Sequence, residues 1–578
     1  METQTQWGGI IRGLHHLTSR LMLVVMVWHF LMVVVTAAYR QPREVTYWTG
    51  LLLGLLTVAM AITGNPLPWD QEGYQAYQIE TSMVGTMPLV GGLLRTLLVG
   101  GAEFGNLTLT RLYTLHVVVL PVSASVLLAV HFALVRRDKL RAHAAGVMID
   151  PESTARSYWP YQSSRNLAAF FLLTFLAAGL AWKWPTWETR GMETTGWELA
   201  PNGLRLTAPA DPDLPHLARP EWYVRPLYEL RHLVPAEKEV LITGLLPMVI
   251  VGLLCLIPVF DRVVGKAVGW ALGTCLTLVL VAGSGWLLWA GWSQDHANPE
   301  FLKAKAGELR LAARALYLAR ENGIPPEGPR ALLQGDAKVR GPRLFAEHCA
   351  GCHTWNGHDG LGKLTQEEVA GELRPVRGTA PDLAGFGSRD WVLRFLQDPS
   401  GPSFFGQTDQ IPGGERLKAG EMAQWTRENV KTSGLQTVHL QGVAALLARE
   451  AGLAEAAKLT EEELKLEQEV FTGDAVDAQG EPLEYAQCLQ CYELKAGDPE
   501  GSGSGGISPG LDLNGYGSEQ WLVDFVRNPG EKRFYGKKNM MPALDTERLP
   551  ERELRLLIQW MRGEWQGSQK GEGVAIAP

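Results

Sequence analysis

Six apolar stretches decide what this chain can become. Leu21 to Ala38 is apolar apart from His29 and Thr36, and similar stretches run about Tyr47 to Thr63, Leu115 to Leu134, Asn166 to Trp182, Val240 to Phe260 and Ala267 to Trp289. Several approach the roughly 20 residues that an α-helix needs to cross about 30 Å of hydrocarbon, where each helix must satisfy its own backbone polar groups. The first half therefore reads as an all-α, multi-pass membrane bundle. Positive charge follows the first, third and fifth spans, at Arg40 and Arg43, at Arg136, Arg137, Lys139 and Arg141, and at Arg262 and Lys266. Those loops are expected on the cytoplasmic side. The expected location is a bacterial cytoplasmic (inner) membrane, with the part after the sixth span on the periplasmic face.

Histidine in such spans is costly without a partner. His15 and His29 stand fourteen residues apart on one apolar helix, and His116 and His131 fifteen apart on another. At about 1.5 Å of rise per residue each pair lies roughly 20 Å apart along its helix and on nearly one face. Two haems stacked across a bilayer need that geometry; the alternative is four histidines bonded to backbone carbonyls. Gly50 and Gly64, also fourteen apart on the helix between, would let two flat macrocycles approach the backbone.

The remainder has a different character. Of the chain's 61 acidic residues 42 lie after Trp292, against 32 of its 53 basic ones, so an acidic exterior follows a nearly neutral membrane half. Such a surface either steers a basic partner or is simply solvated. Cysteine is sparse, six in all. Cys255 and Cys275 fall inside spans, as apolar filler, and the other four form two Cys-x-x-Cys motifs. Cys349-Ala-Gly-Cys352-His353 is a c-type haem attachment sequence: two thiols form thioethers and the histidine binds iron. Cys488-Leu-Gln-Cys491-Tyr492 has tyrosine where that histidine should stand.

The two regions are nevertheless repeats. Ala380-Pro-Asp-Leu-Ala-Gly-Phe-Gly-Ser-Arg-Asp-Trp resembles Ser508-Pro-Gly-Leu-Asp-Leu-Asn-Gly-Tyr-Gly-Ser-Glu-Gln-Trp, and each is followed by an aromatic pair and glycine, Phe404-Phe405-Gly406 and Phe534-Tyr535-Gly536. Their losses are complementary. The second repeat keeps Met541 as a thioether ligand, where the first has Ile411, which cannot ligate iron. The first haem c is then five-coordinate or uses another group such as His358 or Met422. For the second, three outcomes stand open: a haem c with unusual ligation, a disulfide between Cys488 and Cys491, or two free thiols.

The membrane motifs resemble a known family, the cytochrome b of quinol:cytochrome c oxidoreductases, the bc-type complexes. Arg12-Gly-Leu-His15, Pro42-Arg-Glu44, Gly64-Asn-Pro-Leu-Pro-Trp-Asp-Gln71 and Leu109-Thr-Arg-Leu-Tyr-Thr-Leu-His116 look like its haem-binding half. Arg165-Asn166, Pro220-Glu221-Trp222-Tyr223 and Pro258-Val-Phe-Asp-Arg262 look like its second half. The resemblance covers about residues 7 to 292, and the tail resembles class I cytochromes c. It implies that His15 with His116 binds the outer haem b and His29 with His131 the inner one. It also implies that Arg12 meets a haem propionate, that Glu221 takes a proton from quinol, and that Tyr223 helps position the quinol. One electron then goes to a Rieske iron–sulfur protein and the other to the outer haem b. A carboxylate in a partly apolar pocket suits that role, because its pKa is raised towards neutrality.

Departures accompany the likeness. The family begins with a helix before the first histidine pair, and this sequence starts after it, so that another subunit supplies the helix or the sequence starts at an internal methionine. Near the inner haem the family often has arginine three residues after the second histidine, where this chain has Met32.

The expected organisation is a haem b bundle over 1–145, a three-helix membrane domain with the quinol loop over 146–292, a linker helix over 293–335, a cytochrome c domain over 336–455, a second over 456–566, and a disordered tail over 567–578. A charged helical stretch, Leu459 to Val470, leads into the second cytochrome c module. No phosphate-binding loop, nucleophile triad or nucleic-acid patch stands out, so no nucleic-acid partner is expected. Two functions follow. One is the cytochrome b and c subunit of a proton-translocating respiratory quinol oxidoreductase, working in a dimeric complex with a soluble electron acceptor. The other is a multihaem electron relay or anchoring subunit that does not oxidise quinol. Intact Pro220 to Tyr223 favours the first.

Overall fold

A computed structural model of the chain describes residues 8–138 except 102, 158–183, 207–212, 217–432 except 365, 370, 371, 376 and 377, 437–453, 488, 492, 494 and 511–565. Cys491, Lys139, Arg141, the expected helical stretch Leu459 to Val470 and the expected tail 567–578 lie outside the described residues. Among the described residues the regular structure is helical apart from one short antiparallel hairpin, β1 (Gln366–Val369) with β2 (Glu372–Pro375). It divides into two compact units, residues 1–332 and 333–578.

The first unit begins with α1 (Gly8–Val35) and α2 (Glu44–Gly64). Two shorter helices follow, α3 (Gln71–Gly85) and α4 (Gly91–Val99). The next long helix is composite: α5 (Asn106–Thr114), a π-helical segment (Leu115–Val119) and α6 (Leu120–Asp138). After α7 (Ser163–Lys183) and α8 (Arg225–His232) come α9 (Leu246–Val263), α10 (Lys266–Ala297) and the amphipathic α11 (Pro299–Asn322). Among the described residues five helical segments are long and apolar enough to cross a membrane: Ile10–Val35, Glu44–Gly64, Asn106–Asp138, Ala236–Val263 and Lys266–Ala297. The stretch expected at 166–182 falls on α7, which is not among the five. Their outward side chains are apolar, with Trp28, Phe132 and Val279 each more than half exposed. Lipid accepts such a surface; water would not.

Ion pairs join the loops that the motifs marked. Arg40 and Tyr39 bind Asp261, and Arg262 binds Glu44, so the Pro42-Arg-Glu44 and Pro258-Val-Phe-Asp-Arg262 segments meet at one end of the bundle. The small core of Val34, Ala37, Tyr39, Tyr47 and Ile257 lies there as well.

The second unit holds both repeats. The first contributes α12 (Ala337–His348), α13 (Arg389–Gln397) and α14 (Thr437–Glu450), and the second α15 (Glu519–Arg527) and α16 (Glu551–Met561). Their geometry is duplicated in detail. Ser388 and Ser518 cap α13 and α15 through the N–H of Trp391 and of Trp521. The indole of Trp391 donates to Asp382 and that of Trp521 to Asp512. Each tryptophan stacks on a phenylalanine four residues on, at 11° in both cases.

Packing crosses between the repeats. The α12 helix, which opens the first, lies against α16, which closes the second. Gly341 makes this possible: a Cβ there would come within 2.2 Å of the Trp560 Cβ. The Trp560 side chain is fully buried between Phe345 and Trp355, its ring 4.2 Å from that of Trp355. Arg340 pairs with Glu553 at 2.9 Å along the same contact. One hydrophobic core thus runs through both repeats, and residue 455 separates two sequence copies rather than two cores.

Candidate haem and quinol sites

The histidines come together across helices. The rings of His15 on α1 and His116 lie 6.2 Å apart, centre to centre, a separation that suits two imidazoles on either side of one metal, with bonds of about 2 Å each. His116 Nδ1 lies 2.9 Å from the Met60 carbonyl, and His131 Nδ1 lies 3.0 Å from the Thr49 hydroxyl. With Nδ1 engaged, Nε2 is the nitrogen left to ligate. His131 also has His29 as its close neighbour. The π-helical turn carries His116 itself. It widens one turn of the helix, and so accommodates a fifteen-residue spacing opposite one of fourteen.

Gly50 and Gly64 stand against these rings. A Cβ at Gly64 would fall 2.4 Å from His116 Cε1, and one at Gly50 would fall 3.1 Å from His131 Cε1. In the structure each glycine lies against an imidazole. Arg12 lies 3.8 Å from Asp70, whose carboxylate caps α3 through the Gly73 N–H.

The Pro220–Tyr223 loop is clamped from both flanks. Arg219 and Arg225 bind the two oxygens of Asp295 on α10, at 2.8 and 2.6 Å. Arg225 also binds Glu229 at 2.9 Å. Within the loop, Glu221 pairs with Arg20 of α1 at 3.5 Å. Burial raises the Tyr223 hydroxyl well above its ordinary pKa and keeps it neutral, with Glu80 and Glu221 nearby adding to the rise. Glu80 on α3 completes the group, and its only exposure is 3 %. Glu221 and Tyr223 are marked by a sequence motif, whereas Glu80, Arg20 and Asp295 carry no such mark. Asp295 lies just beyond the sixth apolar stretch, and an acid on an amphipathic segment looks like any solvated one until its neighbours are known.

In the second unit, Cys349 and Cys352 follow α12. His353 Nδ1 lies 2.7 Å from the Pro381 carbonyl, and burial keeps the ring neutral. Asp382 braces the turn, accepting from the Thr354 hydroxyl and from the N–H groups of Asn356, Gly357 and Ala384. The donor set suits a covalent haem: two thiols on one turn and an oriented imidazole. Of the alternative ligands, His358 accepts from the Gly360 N–H, and Met422 packs on the hydrophobic core. In the second repeat the Tyr492 N–H donates to Cys488 O at 3.0 Å, as the His353 N–H does to Cys349 O at 2.9 Å. The tyrosine thus takes the histidine's backbone place. Asn539 brackets Met541 by two hydrogen bonds.

Residues 20–190 match the family described as cytochrome b (N-terminal)/b6/petB, and residues 339–400 match cytochrome c. Cytochrome b6 of Emiliania huxleyi is 42% identical over 136 residues, which are 24% of this chain and 63% of that protein. Cytochrome b6 of Synechococcus sp. (strain JA-3-3Ab) is 40% identical over the same length and the same shares. The chain thus spans just under two thirds of these relatives. A solved chain titled "Hyperthermophilic respiratory Complex III" aligns with a TM-score of 0.35 at 20% identity, covering 49% of this chain and 78% of its own. The class is therefore a multi-pass membrane protein of electron transport. More particularly, this chain joins a cytochrome b/b6 N-terminal domain to a C-terminal cytochrome c domain.

Proposed function

We propose that the chain is the cytochrome b and c subunit of a membrane quinol oxidoreductase, taking electrons from quinol at an outer site and passing them to a soluble acceptor through a complex with a Rieske iron–sulfur protein. One observation carries it: the Glu221 carboxylate is tied to Arg20, five residues along α1 from His15. That ties the proton-accepting loop to the helix that carries a ligand of the outer haem b.

His15 with His116 and His29 with His131 are the ligands of two haems b, and Cys349, Cys352 and His353 hold a haem c. When bound, these haems supply one-electron carriers at different depths. The chain's own residues do the rest. Glu221 accepts a proton from a quinol hydroxyl, Arg20 holds that carboxylate in place, and the Asp295 clamp fixes the loop from below. The neutral Tyr223 hydroxyl donates to a quinone oxygen.

The test is Glu221→Gln in the intact complex. Removing a proton acceptor of this kind costs typically 10²–10⁴-fold, so quinol-dependent reduction of the b haems is expected to fall at least about a hundredfold while their spectra stay unchanged. Unchanged reduction would favour the electron-relay reading.

A further inference from the structure

Glu80 has no role in that account, yet it is the most unusual carboxylate in the first unit. Both of its oxygens are buried and no side chain among the described residues bonds to them, the Glu221 backbone N–H being the one donor nearby, and the Tyr223 hydroxyl is likewise buried without a partner among the described residues. Buried polar groups are nearly always bonded, and exceptions mark places where chemistry needs a free group. Glu80 and Tyr223 are near enough for the one to act electrostatically on the other.

Among the described residues no cation forms an ion pair with Glu80. Glu221 and Tyr223 are the neighbours from the quinol loop, and Arg20 on α1 is engaged with Glu221. Of the elements packed on α3, α4 brings Arg95, whose side chain lies along Gly85. The π-helical turn Val240–Leu245 has no ionisable side chain, and its Thr243 bonds to Thr86. Burial raises the Glu80 carboxyl to about 8, with the Glu221 carboxylate adding to the rise and the Glu221 backbone N–H opposing it. The group is neutral at pH 7 and becomes an acceptor as the pH rises. An acceptor of this affinity is better matched to a quinol hydroxyl than an ordinary carboxylate is.

We propose that Glu80 is a second proton-accepting group of the quinol site: Glu221 takes a proton from the substrate and hands it to Glu80, which leaves Glu221 ionised for the next. This rests on the quinol reading of the Glu221 loop. Oxidation of one quinol breaks two O–H bonds and forms the quinone. Both protons leave through the carboxyl pair, one electron passes to the outer haem b and the other to a one-electron iron–sulfur acceptor. Glu80 acts through Glu221 and does not touch the substrate.

The experiment follows the rate of haem b reduction by a short-chain quinol against pH in the intact complex carrying Glu80→Gln, Glu80→Asp or Glu221→Gln. The wild-type rate is expected to rise about tenfold between about pH 7 and pH 9, following the ionised fraction of a group near 8. Glu80→Gln is expected to flatten that rise, and Glu80→Asp to keep it with a displaced midpoint. A Glu80→Gln profile that superimposes on wild type overturns the proposal. If Glu221→Gln also leaves reduction unchanged, the quinol reading fails with it; if Glu221→Gln is inactive, only the Glu80 role is lost. Should Glu80→Gln not assemble, infrared titration of the wild-type complex decides. A buried protonated carboxyl band that disappears with a midpoint near 8 supports the relay, and its absence at neutral pH sinks it.

Discussion

Single residues in this protein are chosen for what they leave out as much as for what they add. Gly64 is the clearest instance, because a Cβ 2.4 Å from His116 Cε1 cannot be absorbed by a ring already held through Nδ1. Gly64→Ala is therefore expected to displace His116 and remove one haem b, read as loss of about half the bis-imidazole absorbance. Gly50→Ala, at 3.1 Å from His131, asks the ring to move by only a few tenths of an ångström and should shift the spectrum rather than abolish it. The in-phase spacing of these glycines was legible from the sequence. Their contact with imidazole was not, since periodicity says which face a residue occupies and nothing about which group lies opposite. Glu80 was illegible for the same reason. One acid in a polar short helix has no signature, and only the folding of α3 against the Glu221 loop makes it a buried, unpaired group.

Among elements, the pairing of α12 with α16 changes how the tail should be understood. Repeats in sequence suggest two self-contained modules, but the helix that leads into Cys349 and His353 is closed by the last helix of the other copy. Trp560 is the keystone of that contact. Trp560→Ala removes a fully buried indole and should cost about 3–5 kcal/mol. A stop codon before Glu551 removes the partner helix entirely. Either change is expected to lower covalent haem at Cys349 and Cys352, seen by haem staining of the denatured chain, while the b-type spectrum is retained. Full haem c attachment without α16 would mean that the first repeat is self-sufficient. The composite helix α5–α6 makes a similar point. A fifteen-residue histidine spacing is slightly out of phase for a regular α-helix, and the π-helical turn at Leu115–Val119 absorbs the extra residue.

Across the whole molecule, haem content is the quantity that orders the alternatives. Pyridine haemochrome analysis of the purified chain should give two b haems to each c haem if Tyr492 prevents stable attachment at the second motif, and two to two if attachment survives on Cys488 and Cys491. Tyr492 and His353 occupy matching backbone places, so the two motifs differ there in the side chain.

Apolar runs, histidine spacing and Cys-x-x-Cys-His are local patterns, and each needs only hydrocarbon thickness, helical pitch or thioether chemistry to be interpreted. The sequence by itself therefore determined a helical membrane protein with b-type and c-type haem chemistry. Which groups stand opposite one another is a long-range matter. The Arg20–Glu221 pair, the Asp295 clamp, the buried Glu80 and the joining of α12 to α16 bring together residues from 70 to more than 200 positions apart. Only the tertiary structure decided these, because desolvation and pairing energies exist only once distant segments have packed.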